Sequence, residues 1–160
     1  MKAICDSSVL IGLAKIAKLE LLKEIFDVLY VPEAVFNEVV TKGKGKSGVK
    51  EVSEAKWIYK RPVKDRRTVE MLTAEMGLGE AEVLVLGKEL KADWLIIDDE
   101  RARTAAIAAG FQVIGLAGIL LLAKQRKLTP SVKPLLDELQ DKNFRLSKLI
   151  YNEVLKKARE

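Results

Sequence analysis

The chain has 160 residues, 49% of them hydrophobic and 32% charged, with no histidine, one cysteine and a formal net charge of +5. That length and balance fit one globular domain with a real core rather than a disordered chain. The missing imidazole excludes Ser-His-Asp and Cys-His sites, histidine-based ribonuclease chemistry and ordinary catalytic zinc centres, so an enzyme of this composition must work through carboxylates or lysines.

Lys2–Asp6 reads as a first strand ending in a carboxylate, followed by the small polar pair Ser7 and Ser8. The spacing predicts a helix over Val9–Leu22, with Leu10, Leu13, Ala14, Ala17 and Leu21 on one face. Val28–Val31 is a second short strand. Pro32 is a favoured residue at a helix start, and Glu33–Val40 continues as a helix that sets Val35, Glu38 and Val39 on one side. Thr41–Gly48 is a Gly-Lys loop with no hydrophobic anchor. A third strand is expected over Trp57–Tyr59, then the basic run Lys60–Arg67 and a helix from about Asp65 to Met76.

Gly77–Glu100 organises the rest: a glycine turn, a mostly apolar helix, a tight turn, and the strand Trp94–Ile97 ending in Asp98 and Asp99. Such a short, continuously apolar strand is buried on both faces. A helix over Glu100–Ala109 stops at Gly110, and Phe111–Ile114 is the last strand. From Gly115 an apolar helix runs to Lys124, Arg126 and Lys127, cations that suit its negative end. Helices near Ser131–Gln140 and Ser147–Arg159 follow.

Strands alternating with helices imply a parallel sheet covered on both sides, in a single domain over residues 1–160 with a helical extension from about 129. The longest apolar run, Ile114–Ala123, falls short of the ~20 residues of a membrane span. Asp6 interrupts the only apolar N-terminal run, so no signal peptide is expected, and with Cys5 unable to form an internal disulfide the expected setting is the cytoplasm.

In an open α/β sheet, the carboxyl ends of the strands and the helix starts beyond them form the ligand edge. Asp6, Glu38, Glu80 or Glu82, and Asp98 or Asp99 all map there. Asp93 precedes its strand and belongs to the opposite edge. Clustered acids repel and raise one another's pKa, which calls for a compensating cation; with oxygen ligands only, hard Mg²⁺ or Mn²⁺ fits best. Each acid also has a plainer use: Asp6, Asp98 or Asp99 as helix caps, Glu82 as a capping-box partner, Glu80 against a helix dipole, Glu38 on the surface. The cations of residues 42–67, notably Lys42, Lys44, Lys46, Arg61, Arg66 and Arg67, could hold a nucleic-acid backbone or form a solvated face.

Asp6-Ser-Ser with Leu10-Ile-Gly-Leu-Ala-Lys15, Val31-Pro-Glu33 with Val35 and Glu38, Gly79-Glu-Ala-Glu82 and Ile97-Asp-Asp-Glu-Arg-Ala-Arg103 together resemble PIN-domain proteins. The match is to the VapC-like, DUF3368 branch, and it extends through Gly115–Lys124 and the last helices. The resemblance implies a three-layer α/β/α sandwich with a central, mostly parallel sheet and extra C-terminal helices. It also implies Mg²⁺- or Mn²⁺-dependent endoribonuclease activity on RNA, and in this branch the toxin of a toxin–antitoxin pair with a cognate antitoxin as partner. A homo-oligomer, a dimer, is expected. Asp6 and Glu38 match the first two family acids, Glu80 and Glu82 compete for the third, Asp98 and Asp99 for the fourth, and Ser8 matches a supporting hydroxyl. The chain departs from the common pattern in having Glu at the third position and Ile97 where many relatives carry threonine. A rival reading is a PIN-like binding module without catalysis.

Overall fold

Ala3, Ile4 and Cys5 at the front of the chain and Leu95 and Ile96 in its middle are fully removed from solvent, as strands covered on both faces must be. The computed structural model describes residues 1–43 and 45–160. In it, β1 (Lys2–Cys5), β2 (Val28–Pro32), β3 (Ile58–Arg61), β4 (Trp94–Ile96) and β5 (Gln112–Ile114) form one sheet in the order β3-β2-β1-β4-β5. Every pairing is parallel, with Ile4 opposite Tyr30 on one side and Leu95 on the other.

Helices fill both faces. After β1 come α1 (Ser7–Lys15) and α2 (Glu20–Ile25); after β2, α3 (Glu33–Phe36), a π-helical turn (Asn37–Thr41) and α4 (Val49–Glu54). α5 (Arg66–Leu72) and α6 (Leu78–Glu89) lead to β4, and α7 (Glu100–Ala108) to β5. α8 (Leu116–Gln125), α9 (Lys133–Asp141) and α10 (Lys148–Ala158) follow. α1 and α2 pack with α8, which α10 covers, whereas α6 packs with α5 and α7. The chain steps from β1 to β2 and β3 in one direction, then crosses back to β4 and steps the other way. Right-handed crossovers therefore place α1 and α2 on the face opposite α5, α6 and α7, while α3 packs against α6. The reversal lies between β1 and β4, and the carboxyl ends of those two strands open the crevice where such sheets bind ligands.

Three local departures from the expected elements have physical causes. The helix expected over Val9–Leu22 breaks at Ala17, whose φ is 53°. There the Ala17 N–H donates to the Ala14 carbonyl at 3.1 Å and the Lys18 N–H to the Leu13 carbonyl at 2.9 Å, a Schellman closure on alanine instead of glycine. α6 begins at Leu78, with Gly77 as its cap, which puts Glu80 in the first turn and Glu82 in the second, too far along to be the capping-box partner expected. α4 was not evident in the sequence; Gly48, at φ 97°, starts it, and the Glu51 carboxylate accepts from the Gly48 N–H at 3.0 Å. Among the described residues no helix is long and apolar enough to cross a membrane.

Candidate functional site

β1 delivers Asp6 to the carboxyl edge of the sheet. Its Oδ1 accepts from the Val9 N–H at 3.0 Å and so caps α1, while Oδ2 accepts from the Asp98 N–H at 3.1 Å. The Asp6 N–H donates in turn to the Ile96 carbonyl at 3.0 Å, so the ends of β1 and β4 are laced together through this residue. Asp6 is only 2% exposed. Burial is the main reason its pKa is pushed up to about 7; the Val9 and Asp98 N–H donors oppose the rise, and the charges of Asp98 and Glu80 add to it.

Asp98 and Asp99 take different jobs. Asp98, half-buried, turns its Oδ1 to the Leu116 N–H at 2.9 Å, at the start of α8. Burial raises its pKa, against that donor and the nearby Arg103. Asp99 is exposed and caps α7 through the Ala102 N–H at 2.9 Å. Arg103, one helical turn on, donates from Nη1 to the Ile97 carbonyl at 3.0 Å. Gly115 lets both groups in: a Cβ there would lie 2.6 Å from Asp98 Oδ1 and 2.9 Å from Arg103 Nη1.

Two more glycines make room for two more acids. A Cβ on Gly77 would lie 2.5 Å from Glu80 Oε2, and one on Gly79 would lie 2.8 Å from Glu38 Oε1. Glu38, on the π-helical turn, accepts from the Ser7 hydroxyl at 2.7 Å. Ser8, Glu80, Asp98, Asp99 and Arg103 line one cavity of about 710 Å³. Glu38 lines an adjoining one of about 560 Å³ with Lys42 and Lys46, and Lys15 belongs to both. Glu82 is placed elsewhere. Buried on the inner side of α6, it accepts from the Ala34 N–H at the start of α3 at 3.0 Å and from Arg66 Nη1 at 2.8 Å.

The cations of the 42–67 stretch are dispersed. Lys42 and Lys46 face Glu38 across their cavity, and Arg66 is paired with Glu82. Arg61 stacks over Tyr30 and its neighbour Lys60 over Phe36, whereas Arg67 is exposed. Lys44 lies outside the described residues. Nothing in the sequence marks Ser7, Arg103 or Gly115 as part of the site. Asp99 and Arg103 stand four apart, a spacing that reads as an ordinary helix-surface pair, and Ser7 and Ser8 are indistinguishable until the helix start is fixed.

The acids suit a hard divalent cation by chemistry: they offer oxygen donors only, with glycine-made space beside Asp98, Glu80 and Glu38, while Arg103 and Lys15 share the cavity. Asp6 and Asp98 would hold it, with Glu80 lining the same cavity as Asp98. Among the described residues no three acids are already drawn into a ligand cluster.

The DUF3368 family model, a PIN domain, matches residues 2–160. No curated protein matches the chain.

Proposed function

The chain belongs to the PIN-domain family, whose members are generally nucleases that use divalent metal ions, and on that premise we propose that it is a metal-dependent endoribonuclease. The observation that carries this reading is the lacing of Asp6 to Asp98 at the β1/β4 crevice, with Glu80 close enough for its charge to be felt at Asp6. When bound, Mg²⁺ or Mn²⁺ supplies activation of water and neutralisation of charge on the phosphate. The protein's own part is to hold these acids still. Asp6 is pinned by two backbone donors, so its carboxylate does not reorganise during the reaction. Asp98 is fixed by the α8 start, and Arg103 offsets part of its charge. Glu38, tied to Ser7, lines the adjoining cavity, while Asp99 and Ser8 line that of Asp98. Lys15, Lys42 and Lys46 offer positive charge where an RNA backbone would enter. A cytoplasmic setting, a cognate antitoxin and a dimeric state belong to the same proposal.

One observation favours a second reading, a non-catalytic nucleic-acid- or protein-binding module: the acids are not preassembled into a three-ligand cluster among the described residues. Cleavage of single-stranded and structured RNA with Mn²⁺, Mg²⁺ or chelator separates the two. The nuclease reading expects cleavage that requires the ion and falls about 10²–10³-fold in Asp98→Asn. RNA bound but left intact with either ion would establish the binding module instead.

A further inference from the structure

The cavity that holds Asp98 and Arg103 does not end at the acids. It continues along α8 to a far wall made by the α9–α10 connection and α10, where Phe144, Arg145, Leu146, Ile150 and Lys157 face it. Its volume of about 710 Å³ is far more than an ion requires and lies in the range of sites that enclose a whole ligand. Building on the nuclease reading, we propose that this groove is a subsite for single-stranded RNA next to the cleaved phosphate, with Arg145 and Lys157 contacting phosphates and Phe144 offering a stacking surface to a base.

The wall's chemistry selects that occupant. Among the described residues neither Arg145 nor Lys157 is paired with a carboxylate, while Phe144 and Leu146 are half-buried and Ile150 is 44% exposed. Alternating cations and apolar surface beside a phosphate-handling site match a strand whose phosphates and flat bases both need partners. In a duplex the bases are stacked on one another and cannot reach such a wall. Glu153, also on the wall, can accept from an exocyclic amino group of a base.

The wall is also held in register with the acids. Lys15 Nζ donates to the Lys142 carbonyl at 3.0 Å, and Lys142 Nζ returns the bond to the Lys15 carbonyl at 2.6 Å. This staples the end of α9 to the end of α1, the helix that Asp6 caps. Phe144 lies in the space Gly12 leaves open; a Cβ there would approach the ring to 2.8 Å. A preformed wall loses less entropy when a strand binds.

The test is anisotropy of a short fluorescein-labelled oligouridylate with the full chain in chelator, so that nothing is cut, comparing the parent with an Arg145→Glu, Lys157→Glu double variant. Both side chains are exposed, and thermal melts check that the variant folds like the parent. The expected result is affinity weakened about tenfold or more and a log–log salt slope shallower by about 1.4, the value for two single-strand phosphate contacts. A 4-thiouridine version of the strand should crosslink under ultraviolet light to the peptide carrying residues 143–157. Unchanged affinity and slope, with crosslinks confined to residues 42–67, or a preference for duplex, would overturn the subsite and leave the nuclease reading standing. A parent that neither binds nor cuts RNA removes both. A parent that binds through the groove yet cuts nothing with Mn²⁺ keeps the subsite and removes the nuclease.

Discussion

Asp6 does two jobs that at first look like alternatives. It caps α1, and it also stands among the acids with Asp98 bound to its second oxygen. Without a metal ion its folded pKa of about 7 exceeds the ordinary value of 3.8. A raised acid pKa means that folding favours the protonated form, so the associated stability is full below about pH 4 and is lost as pH rises through 7. The amount at stake is on the order of 4 kcal/mol. Asp6→Asn removes the titrating group and still caps the helix. The metal-free variant should therefore show a flatter Tm between pH 4 and 7, as calorimetry over that range would show, at a cost of about 1–3 kcal/mol because its amide has one acceptor oxygen for the Val9 and Asp98 N–H donors. Gly115 tests the site from the other side. Its φ of −102° suits any residue, so Gly115→Ala acts through space alone, pushing Asp98 off the Leu116 N–H. Mn²⁺ binding by titration calorimetry should weaken about tenfold or more for a loss of 1–3 kcal/mol at that hydrogen bond; parent-like binding would show that Asp98 does not ligate. Asp6 was legible in the sequence as the end of a strand, and the end of β4 offered Asp98 and Asp99 without ranking them. Arg103 and Gly115 were not, because their roles depend on β4 and α8 meeting across the sheet.

At the scale of elements, α6 carries two glutamates to different ends. Glu80, in the first turn, faces the cavity; Glu82, a half-turn on, ties α3 and α5 to the helix through Ala34 and Arg66. The sequence presents the two side by side and cannot rank them, since a shift of the helix start exchanges their surroundings. Glu82→Ala should cost about 3 kcal/mol by leaving the Ala34 N–H and Arg66 without a partner. It should lower Tm while the folded protein still binds Mn²⁺; loss of binding with Tm unchanged would move Glu82 into the site. Glu160 makes a comparable tie at the other end of the chain. Desolvation opposes ionisation there, but Lys124 and the Lys133 and Val132 N–H groups win, and its pKa falls from 4.5 to about 2. A lowered acid pKa gives stability that is present above about pH 4.5 and lost as pH falls toward 2. Glu160→Gln should accordingly reduce Tm at pH 7 and change it little at pH 2. The break between α1 and α2 escaped the sequence because its αL residue is Ala17, whereas Gly110 marked the end of α7 correctly.

For the whole molecule, alternating apolar strands and helices made the layered parallel sheet legible, since each run needs covering on both faces. Strand order was not legible: nothing local states that β4 returns to lie beside β1. Yet that return brings Asp6 to Asp98 and creates the crevice. The wall from Phe144 to Lys157 was not legible for the same reason, since only long-range packing of α10 on α8 brings it to the acids. On the nuclease reading, a cation completes what the fold assembles. The most direct measurement is the Mn²⁺-induced shift in Tm of the parent and of Asp6→Asn. A ligand at a hundred times its Kd stabilises a protein by about 2.7 kcal/mol, so the parent should melt several degrees higher with Mn²⁺ and Asp6→Asn should respond much less. Equal shifts in the two proteins would show that Asp6 does not hold the ion.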